Sequence, residues 1–325
     1  MRRKRERNRG KSRFIVLIML LSLIIGGFYI LDEAAAPLTN KKDYVFENEI
    51  KNEEKNEDLL NVDALIGIEP TIYSANAILM NAANNEILFD KGSEERIYPA
   101  SLTKIMTTII AIENIPNLQQ KIRLQANMFQ ELYAANASMA GFKPNEEVPA
   151  FDLLYGTMLP SGAETAVGLA MAVSGSEKKF VDLMNEKAME LNMSNTHFMN
   201  VTGLHHDDHY STVKDIAILL TYALQNETFR TIFTASRHST APTNLHPEGI
   251  TFHSSMFQEM DTTEFNGGKI IGGKTGYTEK AGLCLASLSK KNNQEYILVT
   301  AGAAGNRQTE PFHILDAFKV YNESF

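Results

Sequence analysis

Ser101 and Lys104 stand three positions apart at the start of a stretch with apolar residues at Ile105, Ile109 and Ile112. That periodicity reads as a helix, and the spacing puts both side chains on one face. An alcohol is a poor nucleophile until a base takes its proton. A lysine kept neutral by burial and nearby cations can be that base. Pro99 places Ser101 at the N-terminal end of the helix, where free amides and the dipole favour negative charge. The plain alternative is a surface Ser and Lys on an ordinary helix. A second chemical stretch is Lys274-Thr275-Gly276, after Gly272-Gly273 and before Tyr277-Thr278. On an edge strand a Lys and a Thr hydroxyl can bind a carboxylate, and Gly276 lets another backbone approach. The amides of Ser101 and Tyr277 would then be a pair of oxyanion donors. The alternative is a glycine-rich turn with an exposed Lys. Ser161 has two readings as well. Ser161-Gly162-Ala163-Glu164 fits a capping box ahead of an apolar helix, and its hydroxyl is equally available for chemistry.

The elements that must position these residues follow from pattern. Ala75–Asn81 and Glu86–Asp90 flank Asn84-Asn85 and read as a hairpin. Phe151–Leu159 reads as a helix stopped by Pro160, and Ala163–Val173 as an Ala-rich buried helix. Glu177–Leu191 follows the start signal Ser174-Gly175-Ser176, and Thr212–Leu224 takes Ser211 as its N-cap. Leu283–Leu288 and Glu295–Ala301 flank Lys290–Asn293, a second hairpin. Thr309-Glu310-Pro311 opens a final helix with Pro in its first turn. The order is hairpin, helices, hairpin, helix. It predicts an antiparallel sheet built from both ends of the domain, with a helical region inserted between.

The N-terminus is of another kind. Residues 1–13 hold eight Lys/Arg and one acid, a basic cytoplasmic tail. Phe14–Leu31 is an uncharged run of 18 residues. As a helix it spans about 27 Å, the thickness of a bilayer core. The positive cluster predicts a single-pass anchor with the rest of the chain outside. Cleavage as a signal peptide is the alternative, since Ala34-Ala35-Ala36 offers small residues. Asp32, Glu33 and Pro37 beside that site, and the length of the run, favour the anchor. Residues 32–63 carry ten acids and four lysines with little apolar content, an acidic, disordered linker. As a coil its reach is about 30 Å. Residues 64–325 suit one domain or two intimately packed subdomains. Setting aside the first 13 residues leaves 23 bases against 38 acids, a charge of −15, which excludes nucleic acid as a partner. The single cysteine, Cys284, excludes an intrachain disulfide and reads as a buried thiol.

Ser101-Leu-Thr-Lys104, Ser161-Gly-Ala163 and Lys274-Thr-Gly276, in that order, resemble the S-x-x-K, S-x-N and K-T-G set of serine β-lactamases and penicillin-binding proteins. Pro99–Thr107, Met158–Gly162, Asn200–Leu204, His209–Thr212 and Lys274–Thr278 narrow the resemblance to the low-molecular-mass D-alanyl-D-alanine carboxypeptidases, across residues 64–325. It implies an α/β (α+β) fold of β-lactamase/transpeptidase type. The antiparallel β-sheet is flanked by helices and carries an inserted helical subdomain. It implies Ser101 as nucleophile, Lys104 as base, and Ser161 as the group passing a proton between base and leaving amine. Lys274, Thr275, Gly276 and Tyr277 are then substrate-binding, with no metal and no cofactor. The partners implied are peptidoglycan stem peptides ending in D-Ala-D-Ala and the β-lactam antibiotics that mimic them. Such enzymes often carry a second β-rich domain and a C-terminal amphipathic anchor; here the N-terminal helix takes over the tethering.

Ala163 stands where the family has Asn, whose amide bonds the substrate backbone and helps hold the Lys. Three functions follow. The first is an acyl-transfer carboxypeptidase. The second is a β-lactamase, disfavoured because Glu190-Leu191-Asn192 has its Glu beside Leu, and Ala188, where a class A enzyme has its Glu, bears no carboxylate. The third is a low-activity or non-catalytic penicillin-binding scaffold. The run His205-His206-Asp207-Asp208-His209 offers metal-ligand chemistry, but it sits in a polar turn before a helix and reads as structural.

Overall fold

The computed structural model describes residues 71–324. The expected tail, membrane anchor and linker, residues 1–63, lie outside the described residues. The first hairpin forms where predicted, as β1 (Asn76–Asn81) and β2 (Ile87–Lys91), with Asn85 at φ +59° in the turn. A 3-10 turn, Ala100–Leu102, leads into α1 (Thr103–Asn114). Next come β3 (Lys121–Arg123), α2 (Asn127–Ala134) and β4 (Glu147–Pro149), which pairs with β3. The helical region continues through α3 (Ala150–Met158), α4 (Ala163–Ser174) and α5 (Glu177–Glu190). It ends with α6 (Val213–Ala223) and α7 (Glu227–Phe233). A small ribbon, β5 (Arg237–Ser239) with β6 (Thr251–His253), and a short helix, α8 (Ser255–Gln258), lead back to the main sheet. There lie β7 (Glu264–Phe265), β8 (Gly268–Thr278), β9 (Gly282–Lys291) and β10 (Gln294–Ala303), before the last helix, α9 (Phe312–Glu323).

The six-stranded antiparallel sheet runs β2-β1-β10-β9-β8-β7. Strands from both ends of the domain meet in it, as the element order predicts. Its inner strands alternate between two cores, because successive side chains leave opposite faces. Ile78, Met80, Leu288, Ile297 and Val299 face the helical region; Leu79, Leu285, Leu298 and Ala77 face Ile314, Ala317, Val320 and Tyr321 of α9. The β9–β10 turn is tight: Asn292 and Asn293 both take left-handed φ, +49° and +64°, and Lys291 pairs directly with Gln294. Asp316 of α9 accepts from the Tyr73 and Ser74 amides (2.8 and 2.7 Å) and the Ser74 hydroxyl (2.6 Å), joining the start of the described chain to its last helix.

Two start signals differ from expectation. Thr212, not Ser211, caps α6, accepting from the Asp215 amide at 3.0 Å; Ser211 is drawn into a backbone bridge with Ile97. Pro311 lies at the cap of α9 rather than inside its first turn. No helix among the described residues is long and apolar enough to cross a membrane.

Candidate active site

The turn that carries Ser101 is strained and tightly packed. Ala100 has φ +46°, an uncommon conformation for a residue with a Cβ, and Ser101 follows it in the 3-10 turn. A 3-10 turn eclipses positions three apart, so Ser101 and Lys104 still share a face. Lys104 Nζ lies 3.1 Å from Ser101 Oγ and donates to the Thr202 carbonyl at 2.6 Å. Lys104 is buried at 2% exposure. Burial lowers its pKa to about 7; Glu164 opposes that shift and Arg307 adds to it. The amine is therefore substantially neutral near pH 7 and can accept a proton from the hydroxyl.

Ser161 corrects the capping-box reading. It takes φ +66°, Gly162 is the cap residue of α4 without a side-chain bond, and Ser161 Oγ is buried with no hydrogen-bond partner. Glu164 does not reach back to it. Its Oε1 instead accepts from the amides of Ala140, Gly141 and Phe142 at 2.8, 2.9 and 3.3 Å. An orphaned hydroxyl on a strained residue marks a group held for something other than stability. Ser161 lines a cleft of about 430 Å³ together with Ser101, Thr275, Gly276 and Tyr277. An adjoining lobe of about 740 Å³ shares Ser101 and Tyr277 and reaches Lys104, Ala163 and Thr202.

The Lys274-Thr275-Gly276 stretch lies in β8, not in a turn. Strand β7 covers β8 only near Gly268 and Lys269, so Thr275–Tyr277 edge the cleft. A Cβ on Gly276 would sit 3.2 Å from the Ser101 amide nitrogen and 3.3 Å from the Pro99 carbonyl, so glycine lets the strand pack against the nucleophile turn. Lys274 differs from an exposed carboxylate-binding lysine. It is fully buried, donates to the Thr275 carbonyl at 2.7 Å, and does not line the cleft. Burial lowers its pKa well below the ordinary value, with Lys104 and Arg307 acting in the same direction. The Thr275 and Ser255 hydroxyls, both on residues that line the cleft, are 2.6 Å apart.

Two groups escaped the sequence reading. Arg307, in the loop after β10, lines both lobes and donates to Ser138 Oγ at 2.6 Å across the cleft. The Thr202 carbonyl is the acceptor for Lys104. Nothing local marks a lone Arg in a loop or a backbone oxygen 98 residues from its partner. The histidines of the 205–209 run have separate partners. His209 is buried, accepts at Nδ1 from the Met199 amide and bonds Thr103 Oγ1 through Nε2, so it is neutral; burial lowers its pKa to about 3. Among the described residues no group of three or more His, Cys, Asp or Glu converges on a metal position. Ala188 is buried in the core, and the Glu190 carboxylate pairs with Lys187 at 2.9 Å. Cys284 is buried, which pushes its thiol up to about 12.

The Peptidase_S11 family, D-alanyl-D-alanine carboxypeptidase, matches residues 64–305. The chain belongs to this family. It is 33% identical over 249 residues to the D-alanyl-D-alanine carboxypeptidase DacF of Bacillus subtilis, covering 76% of this chain and 62% of that protein. It is 31% identical over 271 residues to the D-alanyl-D-alanine carboxypeptidase of a Streptomyces species, covering 79% and 89%. The crystal structure of a Streptomyces DD-transpeptidase superposes with a TM-score of 0.71 at 28% identity, covering 79% of this chain and 98% of that one. Penicillin-binding protein 5 of Haemophilus influenzae shares the fold, with a TM-score of 0.68 at 24% identity over 78% of this chain and 70% of its own. The match thus spans under two thirds of the Bacillus relative and nearly all of the Streptomyces structure. The expected α/β (α+β) fold, an antiparallel sheet with an inserted helical region, is the fold of the penicillin-binding DD-peptidases.

Proposed function

We propose that this chain is a serine-type D-Ala-D-Ala carboxypeptidase acting on peptidoglycan stem peptides. The observation that carries the reading is the buried Lys104 amine, 3.1 Å from Ser101 Oγ and held near pKa 7 by its surroundings. Ser101 Oγ attacks the carbonyl between the two D-alanines while Lys104 takes its proton. The amides of Ser101 and Tyr277 receive the oxyanion. The free Ser161 hydroxyl passes the proton to the departing amine, and the C–N bond breaks to release D-Ala. Water then cleaves the acyl-Ser101 ester, with Lys104 again as base. Thr275 on the β8 edge, in the stretch Lys274–Tyr277, meets the substrate carboxylate, and the positive field of Arg307 favours the same group. A β-lactam presents the same amide and stays bonded to Ser101.

The test is mass spectrometry of the full chain after penicillin, with D-Ala release assayed on a peptide ending in D-Ala-D-Ala. The native chain should gain one penicilloyl group and release D-Ala. Ser101→Ala should do neither while melting as the native chain does; undiminished labelling of that variant would sink the assignment. We also propose that residues 14–31 anchor the chain in the cell membrane with the catalytic domain outside, on the strength of the uncharged run and the eight bases before it. Membrane fractionation of the intact chain checks this.

A further inference from the structure

The loop 200–204 brings the Thr202 carbonyl to Lys104, and one side chain organises that loop. Asn200 Oδ1 accepts from the Thr202 amide at 3.1 Å, the Thr202 hydroxyl at 3.0 Å and the Gly203 amide at 2.7 Å. Its Nδ2 donates to the Leu204 carbonyl at 2.8 Å. Two further bonds pin the loop from outside. Glu177 accepts from the Val201 amide at 3.0 Å, and the Thr107 hydroxyl, one turn along α1 from Lys104, donates to the Val201 carbonyl at 2.8 Å. Asn200 itself lines neither lobe of the cleft.

The consequence lies in the geometry of an amine. A neutral lysine has two N–H bonds and one lone pair, tetrahedrally arranged. With one N–H committed to the Thr202 carbonyl at 2.6 Å, rotation about the last side-chain bond is restricted. The lone pair can then be held toward Ser101 Oγ at 3.1 Å. Without that acceptor, the amine can turn an N–H toward the hydroxyl as readily as its lone pair. The same loop also supports the nucleophile from below. Gly203, at φ +79°, has no Cβ, and one built there would lie 1.8 Å from the Ala100 carbonyl oxygen.

We propose that Asn200 is a positioning residue for acylation: it folds the loop 200–204 so that the Thr202 carbonyl aims the Lys104 lone pair at Ser101. The inference rests on the reading of Lys104 as the base for Ser101. Reacting groups must be aligned to a fraction of an ångström, and a misplacement near 1 Å costs on the order of 100-fold in rate.

The experiment is stopped-flow acylation of the full chain by a chromogenic penicillin. It separates the dissociation constant of the first, noncovalent complex from the acylation rate constant. Asn200→Ala should slow acylation by roughly 10- to 100-fold and leave the dissociation constant within about 2-fold of native. Asn200→Asp keeps an acceptor for all three donors but loses the bond to Leu204 and adds a negative charge that favours protonated Lys104, so, measured on the alkaline plateau of its pH profile, it should restore acylation to within about 3-fold of native. Asn200→Ser, too short to gather three donors, replaces the alanine variant if that one does not fold, with the same slowing expected. Acylation unchanged in Asn200→Ala or Asn200→Ser overturns the proposal. So does a loss that appears wholly in the dissociation constant, or an aspartate variant as slow as the alanine one. A native chain that is not acylated overturns the functional reading and this inference with it; a native chain acylated at Ser101 beside unaffected variants overturns this inference alone.

Discussion

Lys104 and Ala163 are the two residues on which the proposed chemistry turns. Lys104 is a base only when neutral, and burial lowers its pKa to about 7. The sign follows directly: below that pH the amine is protonated and cannot take the Ser101 proton. The second-order rate of acylation should therefore rise about tenfold per pH unit below 7 and level off above it. A profile flat from pH 5 to 9 would remove Lys104 from the role. Ala163 faces the lobe that also holds Ser101 and Lys104. Its amide donates to the Ser138 carbonyl at 2.8 Å, but its methyl group offers the substrate nothing. Glu164 does not stand in for the missing amide: its Oε1 is taken by three backbone donors of the 140–142 loop, and the residue lines neither lobe of the cleft. One hydrogen bond in a preorganised site is worth about 1–3 kcal/mol, or roughly 5- to 150-fold in rate. Ala163→Asn should accelerate penicillin acylation within that range. No change, in a protein that melts normally, would mean the site is built around alanine.

Three elements meet at Ser101, the proposed nucleophile: the 3-10 turn before α1, the strand β8 and the loop 200–204. Each approaches through a glycine or a strained residue. Gly276 brings β8 against the Ser101 amide, and Gly203 brings the loop against Ala100, itself at φ +46°. At Gly203 the approach cannot tolerate a methyl group, whereas at Gly276 one would press on its neighbours by a few tenths of an ångström. Gly203→Ala would set a Cβ against a backbone oxygen at a left-handed position, a clash that only backbone movement relieves. It should lower stability by at least about 2 kcal/mol and abolish labelling of Ser101, read by thermal melting and mass spectrometry. Normal melting with normal labelling would show that the turn is looser than its packing indicates.

The domain as a whole sets the helical region on one face of the sheet and α9 on the other, with the cleft where β8 meets the helices. Asp316 closes the body by tying α9 to Tyr73 and Ser74. We propose the acidic stretch, residues 32–63, as the tether that would hold the domain off the membrane. Fractionation should recover the intact chain in membranes, with the domain open to external protease. A soluble chain beginning near Pro37 would show instead that the N-terminal segment is removed.

The sequence by itself determined what depends on near neighbours. Periodicity gave α3, α4, α5 and α6 within a residue or two of their ends, and Asn84-Asn85 marked the first hairpin turn, because these features are fixed by bonds spanning a few residues; the second turn, read over Lys290–Asn293, narrows to Asn292-Asn293 between longer strands. The order of the three motifs was also legible, since the side-chain types are the chemistry. Only the tertiary structure decided the environments. Ser161-Gly162-Ala163-Glu164 has the local form of a capping box, yet Glu164 is claimed by amides 22 to 24 residues away, and the Ser161 hydroxyl is left free in the cleft. Lys274 reads as a carboxylate-binding cation on an edge strand; the strand is there, and the side chain is enclosed by packing from other elements. Lys104 gains the low proton affinity its proposed role needs only through burial and the distant Arg307, against the pull of Glu164, and its orientation through a carbonyl 98 residues along the chain. Proton affinity and side-chain orientation are set by every charge and dipole within several ångströms, and those neighbours come from folding, not from adjacency in the chain.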